Sequence, residues 1–209
     1  LRFYEELNDF LPPPRRKRSF EVVYPEARSV KDLIESLGVP HTEIDLIVAN
    51  GDSVGFDYRV RDRDRIAVYP VFEAFDVSTV SRLGRPPLRE PRFLADVHLG
   101  KLARLLRLLG LDCAYDRRAD DAGLLSRSLG EGRILLTRDR RLLMRRELSH
   151  GICIRSADPE EQCRQVVRRV QLEQRIAPFT RCLACNGPVE AVPKEAVIDR
   201  IPERTKRFV

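Results

Sequence analysis

Two short apolar runs, Phe93-Leu94-Ala95 and Ile134-Leu135-Leu136-Thr137, each lead into an aspartate, Asp96 and Asp139, and a Leu- and Arg-rich stretch lies between them. Leu99, Leu102, Leu105, Leu106 and Leu109 fall on the i, i+3, i+4, i+7 rows of a helix over 98–109 that Gly110 ends. Lys101, Arg104 and Arg107 step three apart along its other side. Cys113-Ala114-Tyr115 reads as a second short strand, and Asp120-Asp121 begin the helix AGLLSRSLG. Arg140 to Glu147 reads as helical and Ile152-Cys153-Ile154 as a fourth strand. Asp158 as N-cap, Pro159 at N1 and Glu161 at N3 predict a last helix over about 159–175. Strands alternating with helices predict a parallel sheet, whose ligands gather outside the carboxyl ends of its strands. Asp96 and Asp139 both belong to that end.

The 209 residues exceed one average domain, and 43% apolar content is enough to fill two small cores. No run of 18 apolar residues occurs, so no membrane partner is expected, and no signal peptide opens the chain. Leu rather than Met stands first, so a trimmed start is expected. Five scattered cysteines with a single C-x-x-C argue for a reducing, cytoplasmic setting rather than a disulfide framework. Charge is unevenly placed: residues 1–75 carry 11 Lys/Arg against 14 Asp/Glu, and residues 76–209 carry 27 against 18. A basic second half points to a polyanion partner, most simply nucleic acid.

Residues 1–75 read as a small α/β unit. Ser19 to Tyr24 is a β-branched and aromatic run, and Ser29 caps a helix through Leu37 that Gly38 ends, with Asp32 placed for a capping box. Ile44 to Ala49 is a strand, Asn50-Gly51 a tight turn and Arg65 to Val71 a closing strand. This order suits a β-grasp. The patterns SVKDLIESLGVP, LIVANGDSV and RVRDRDRIAVYPV resemble the ubiquitin-like sulfur carriers. Those carriers act through a free C-terminal Gly-Gly, whereas this unit continues through Phe72-Glu73-Ala74-Phe75, so a binding or spacing module with a protein partner is expected. Residues 76–91, with Gly84 and three prolines, read as a linker.

Carboxylates grouped at one sheet end repel one another unless a cation joins them, and hard oxygen ligands suit Mg2+ or Mn2+. With Asp96 and Asp139, Asp121 is the natural third acid and Asp120 the fallback, although an aspartate at a helix start also serves as a plain cap. Lys101, Arg104, Arg138, Arg140, Arg141, Arg145 and Arg146 bracket these acids and would bind flanking phosphates. An acidic centre within a basic surround has the polarity of a nuclease.

The segments FLADVHLGKLARLLRLLGLD, DDAGLLSRSLGEGRILLTRDRRL, DPEEQCRQVV and RCLACNGPVEAV, over about 92–209, resemble the PIN-like ribonuclease family named for the C-terminal domain of the Mut-seven exonuclease. The resemblance implies a PIN-like α/β/α domain over 92–177 and metal-dependent RNA cleavage, with Asp96, Asp121 and Asp139 as catalytic metal ligands. It implies RNA as partner, with transfer RNA or the ribosome as candidates, gripped by Lys101, Arg104, Arg138, Arg140 and Arg141. The fourth acid common in PIN sites has no clear counterpart, since Asp158 and Glu161 are explained as helix capping. The family often carries an N-terminal ubiquitin-like unit. Two alternatives stay open: a non-catalytic RNA- or ribosome-binding factor with the same fold and basic surface, and a protein-interaction scaffold.

Cys182-Leu183-Ala184-Cys185-Asn186-Gly187 is half of a zinc knuckle, and the expected fold ends in a partial zinc ribbon over 178–209. Zinc needs four ligands. The related family supplies a second C-x-x-C after a segment like IPERTKRFV, so a missing C-terminal end is expected. Cys113, Cys153 and Cys163 read as core, and His41, His98 and His150 as isolated side chains rather than ligands.

Overall fold

The structure, a computed structural model, describes residues 1–23, 28–71, 79–84 and 90–206. In the N-terminal unit β1 (Arg2–Phe3), β2 (Ile44–Ala49), β3 (Asp52–Ser53) and β4 (Ile66–Pro70) form a mixed sheet in the order β1-β4-β2-β3. β1 runs parallel to β4, and the remaining pairs are antiparallel. Helix α1 (Val30–Ser36) starts where the Ser29 hydroxyl accepts the Asp32 N–H at 3.1 Å. Asn50 and Gly51 take φ of +54° and +100°, the left-handed pair that a two-residue hairpin needs.

The strand expected at Ser19–Tyr24 is not formed, and Tyr24 lies outside the described residues. Phe20 exchanges two backbone bonds with Leu1, of 3.0 and 2.9 Å, and Glu21 to Val23 form no strand. The short β1 pairs with β4 on the side away from β2. Half of the expected linker, residues 76–78 and 85–89, and Phe72 to Phe75 also lie outside the described residues.

The second unit is an all-parallel sheet of β5 (Phe93–Ala95), β6 (Cys113–Tyr115), β7 (Ile134–Thr137) and β8 (Gly151–Cys153), in the order β6-β5-β7-β8. Its helices are α2 (Gly100–Leu108), α3 (Asp121–Glu131), α4 (Arg140–Leu143) and α5 (Pro159–Arg169). Because strand side chains alternate, Phe93, Ala95, Leu136 and Ile152 pack with Leu102, Leu106 and Val166 of α2 and α5. Leu94, Ala114, Leu135 and Cys153 face the other way, into a core shared with Leu124, Leu142 and Leu148 and continuous with Leu7, Phe10, Ile34 and Ile47 of the N-terminal unit. One face of the parallel sheet is thus sealed partly by the N-terminal unit.

Two helices are shorter than expected. α4 stops at Leu143, because the chain turns so that Leu148 is buried, and α5 stops at Arg169, because Gln171 enters the left-handed region (φ +46°) and Leu172 turns inward. Residues 173–175 form a separate 3-10 turn.

Both edge strands of the parallel sheet are closed by side chains. The outward N–H of Cys113 in β6 donates to Asn186 Oδ1 at 3.0 Å, and its carbonyl accepts Arg107 Nε at 2.8 Å. The outward N–H of Cys153 in β8 donates to Glu43 Oε1 at 2.6 Å, and its carbonyl accepts Gln165 Nε2 at 2.7 Å. These bonds occupy the outward backbone groups of one residue on each edge strand. Burial pushes both thiols up, Cys113 to about 12 and Cys153 to about 11, the charge on Glu43 adding to the latter, so both stay protonated core residues. Among the described residues no helix is long and apolar enough to cross a membrane.

Candidate active site at the strand-order switch

From β5 the chain crosses to β6 on one side, then returns across β5 to β7 on the other. The carboxyl ends of β5 and β7 therefore flank the point where the connections diverge, the position at which open parallel sheets leave a crevice for ligands. Asp96 follows β5 and Asp139 follows β7 within two residues, and the tertiary fold sets these strands side by side.

Thr137 connects the two acids. Its fully buried hydroxyl donates to Asp96 Oδ2 at 2.5 Å and accepts the Asp139 N–H at 3.0 Å. Asp96 is 8% exposed, and its own N–H is held by Leu136 O at 2.9 Å, a rung linking β5 to β7. Its Oδ1 accepts one 3.4 Å bond, from the backbone N–H of His98. Asp139 is exposed and caps α4, its Oδ1 accepting Arg141 N–H at 2.7 Å and Leu142 N–H at 3.4 Å. Tyr115, at the end of β6, donates its hydroxyl to Val97 O at 2.9 Å and pins the turn after Asp96. A side chain at Gly100 would meet that ring at 2.9 Å, so glycine lets the tyrosine close over the start of α2.

Asp120 and Asp121 divide their tasks. Asp120 is the N-cap of α3 and accepts Gly123 N–H at 2.8 Å, which leaves Asp121, the first helical residue, exposed and without a capping bond. Among the described residues no group of three or more His, Cys, Asp or Glu side chains is placed to hold a metal ion, so Asp121 does not join Asp96 and Asp139 in one cluster. Asp158 caps α5 through Glu161 N–H at 2.9 Å, and Glu161 pairs with Arg164.

Lys101 and Arg104 are exposed on α2, and Arg138 and Arg141 are exposed beside Asp139. Arg140 places its guanidinium 5.0 Å above the Phe10 ring and so reaches the N-terminal unit. Arg107 does not share the solvent face with Lys101 and Arg104. It is 4% exposed and donates to Cys113 O and to the carbonyls of Leu183 and Ala184 at 3.0 and 2.9 Å, binding the cysteine turn to α2 and β6.

That turn is a hairpin in which Cys182 N–H donates to Gly187 O at 2.8 Å and Asn186 N–H to Cys182 O at 3.0 Å. Backbone N–H groups of Cys185 and Ala184, and the Cys185 side chain, hold the Cys182 thiol below its usual range. Asn186 Nδ2 donates to Asp112 Oδ1 at 2.8 Å, and Arg133 donates to the same oxygen at 2.6 Å. Burial pushes the Asp112 carboxyl up, but these bonds and the charges of Arg133 and Arg181 outweigh it and hold the carboxyl below its usual value. His98 is exposed, and His150 bonds Ser149 Oγ at 2.9 Å. His41 is buried, with Nδ1 2.6 Å from Glu35 and Nε2 2.9 Å from Leu148 O. Thr137, Tyr115 and Asn186 carry no sequence signal beyond position: a Thr closing a strand, an aromatic at a strand end and an Asn in a cysteine turn.

No curated protein and no solved structure matches the chain. Residues 91–209 match the Mut7-C RNAse domain, and residues 1–76 match the Mut7-C ubiquitin domain. The chain belongs to the Mut7-C RNAse domain family and carries that family's ubiquitin-like domain ahead of it.

Proposed function

We propose that the chain is a ribonuclease that hydrolyses RNA phosphodiester bonds at the β5/β7 switch. One observation carries the reading: Thr137 joins Asp96 and Asp139 at that crevice, within a domain that matches an RNAse family. The pair fits Mg2+ or Mn2+, since such ions take one or two carboxylates and complete their shell with waters and substrate phosphate oxygens. Asp96 Oδ1 has a single long bond, and Asp139 Oδ2 has none among the described residues. When bound, the ion supplies Lewis-acid polarisation of a phosphoryl oxygen.

The chain's own groups do the rest. Thr137 fixes the direction of Asp96, and α4 fixes Asp139 through its capping bonds. Asp121, exposed at the start of α3, is the third acid of the proposal. Arg138 and Arg141 beside Asp139, with Lys101 and Arg104 on α2, neutralise flanking phosphates, and Arg140 does so from its seat against Phe10. We further propose Cys182 and Cys185 as two ligands of a structural Zn2+ in a zinc ribbon, because donors that favour the Cys182 thiolate favour metal ligation.

The test is cleavage of labelled RNA with and without Mn2+, beside Asp96→Asn and Asp139→Asn. Asparagine retains shape and, at position 139, an N-cap. Loss of turnover with RNA affinity kept is the expected result. Turnover unchanged in both variants overturns the mechanism. RNA binding without turnover by the unaltered chain under any metal favours a non-catalytic RNA- or ribosome-binding factor.

A further inference from the structure

Phe179 is 76% exposed, within a run, residues 173–180, that is exposed throughout. Its backbone is held firmly: its N–H donates to Leu108 O at 3.2 Å, and Ala177 N–H donates to Leu109 O at 3.0 Å. Both acceptors are carbonyls at the C-terminal end of α2, so the Phe179 backbone is held where that helix ends. Gly110 permits the seat, since a Cβ there would lie 2.1 Å from Ala177 O.

The outward row of α2 runs from the proposed site to the helix end where Phe179 is held. Leu102, Ala103, Leu106 and Arg107 form its buried face. Lys101, Arg104 and Leu108, spaced three and four apart, lie on one row opposite it, with both cations exposed. α2 begins four residues after Asp96 and ends against Phe179, a run of nine residues or roughly 14 Å at the helical rise. Acids stand at one end of this line, two cations along it and an exposed aromatic at the other. A positive track with an aromatic platform is the combination that takes single-stranded nucleic acid, cations following the backbone and the ring stacking a base.

We propose that single-stranded RNA lies along the outer row of α2 and that Phe179 stacks on a base beyond the scissile position. This rests on the ribonuclease reading and adds a subsite to it. The aromatic platform is sequence-tolerant because every base presents a π-face.

Fluorescence anisotropy of the full chain with a labelled single-stranded RNA, in buffer free of added divalent metal, tests it. Phe179→Ala weakens binding by about fivefold to 150-fold, the range for loss of one base–aromatic stack, and leaves the salt dependence unchanged. Phe179→Tyr binds as the unaltered chain does, and Phe179→Leu does not. Lys101→Ala with Arg104→Ala weakens binding and lowers the salt slope by about 0.7 per cation removed. Unaltered affinity of Phe179→Ala, or full affinity of Phe179→Leu, overturns the subsite while the ribonuclease reading stands on its cleavage assay. Absence of RNA binding by the unaltered chain overturns both. Phe179 is exposed, so its replacement removes little packing, and circular dichroism of each variant checks the fold.

Discussion

Thr137 concentrates the residue-scale argument, because one hydroxyl donates to Asp96 and accepts from Asp139 in a place without solvent. Valine has nearly the same shape and neither function. Thr137→Val leaves a buried carboxylate oxygen and a backbone N–H without their partner, at a cost of roughly 1–3 kcal/mol in stability. Cleavage falls by about 100-fold, the scale of an ångström's misplacement of a reacting group. Thr137→Ser restores both. Chemical denaturation and initial rates measure this, and wild-type rates in the valine variant contradict the role given to Thr137. The aspartates were legible as residues that end apolar runs. The hydroxyl that couples them was not, because one partner, Asp96, lies 41 residues away in the chain and the other lies in its own turn.

Among elements, the cysteine hairpin is fastened to β6 through charge. Asp112 receives Asn186 and Arg133, and Arg181 lies 3.5 Å from its other oxygen. Because the folded carboxyl is held below its usual value, its stabilisation is complete above the unfolded value near about 4 and is lost as pH falls through the folded value. Acidification below about pH 4 therefore loosens the hairpin from β6. Amide exchange at Cys113 and Cys182 rises there first. Asp112→Asn removes this acid limb, and an unchanged acid profile in that variant refutes the assignment. The tight turn at Cys182–Gly187 was legible from C-x-x-C and its glycine. Its mooring was hidden, since Arg107 follows Lys101 and Arg104 in sequence yet turns to the buried side of α2.

At the scale of the whole molecule, Glu43 joins the two units. It is 3% exposed, accepts Cys153 N–H from the edge of β8 and pairs with Arg169 at 3.1 Å, while Arg169 also meets Glu6. Burial lowers the Arg169 guanidinium to about 10, which leaves it charged at neutral pH and able to pair. Removing Glu43 leaves the buried Cys153 N–H without its acceptor and takes one of two carboxylates from Arg169, which keeps Glu6, at a cost of roughly 1–3 kcal/mol. Glu43→Ala destabilises by that order and separates the unfolding of the two units, whereas Glu43→Gln retains an acceptor for Cys153 and loses less. Calorimetry distinguishes these outcomes, and a single unshifted transition in Glu43→Ala shows that the units do not depend on this contact.

Local periodicity determined most of the strands and the starts of the helices. β2, β5, β6 and β7 lie within the runs that alternation and capping residues mark, because these preferences act over a few neighbouring residues. The same preferences cannot say which strands become neighbours. β7 pairs with β5 rather than with β6, so Asp96 and Asp139 follow neighbouring strand ends. β1 pairs with β4, no strand forms over residues 19–23, and the N-terminal unit covers a face of the parallel sheet, through contacts between residues far apart in the chain. Pairing, edge closure and burial depend on which surfaces meet, and only the folded chain settles that.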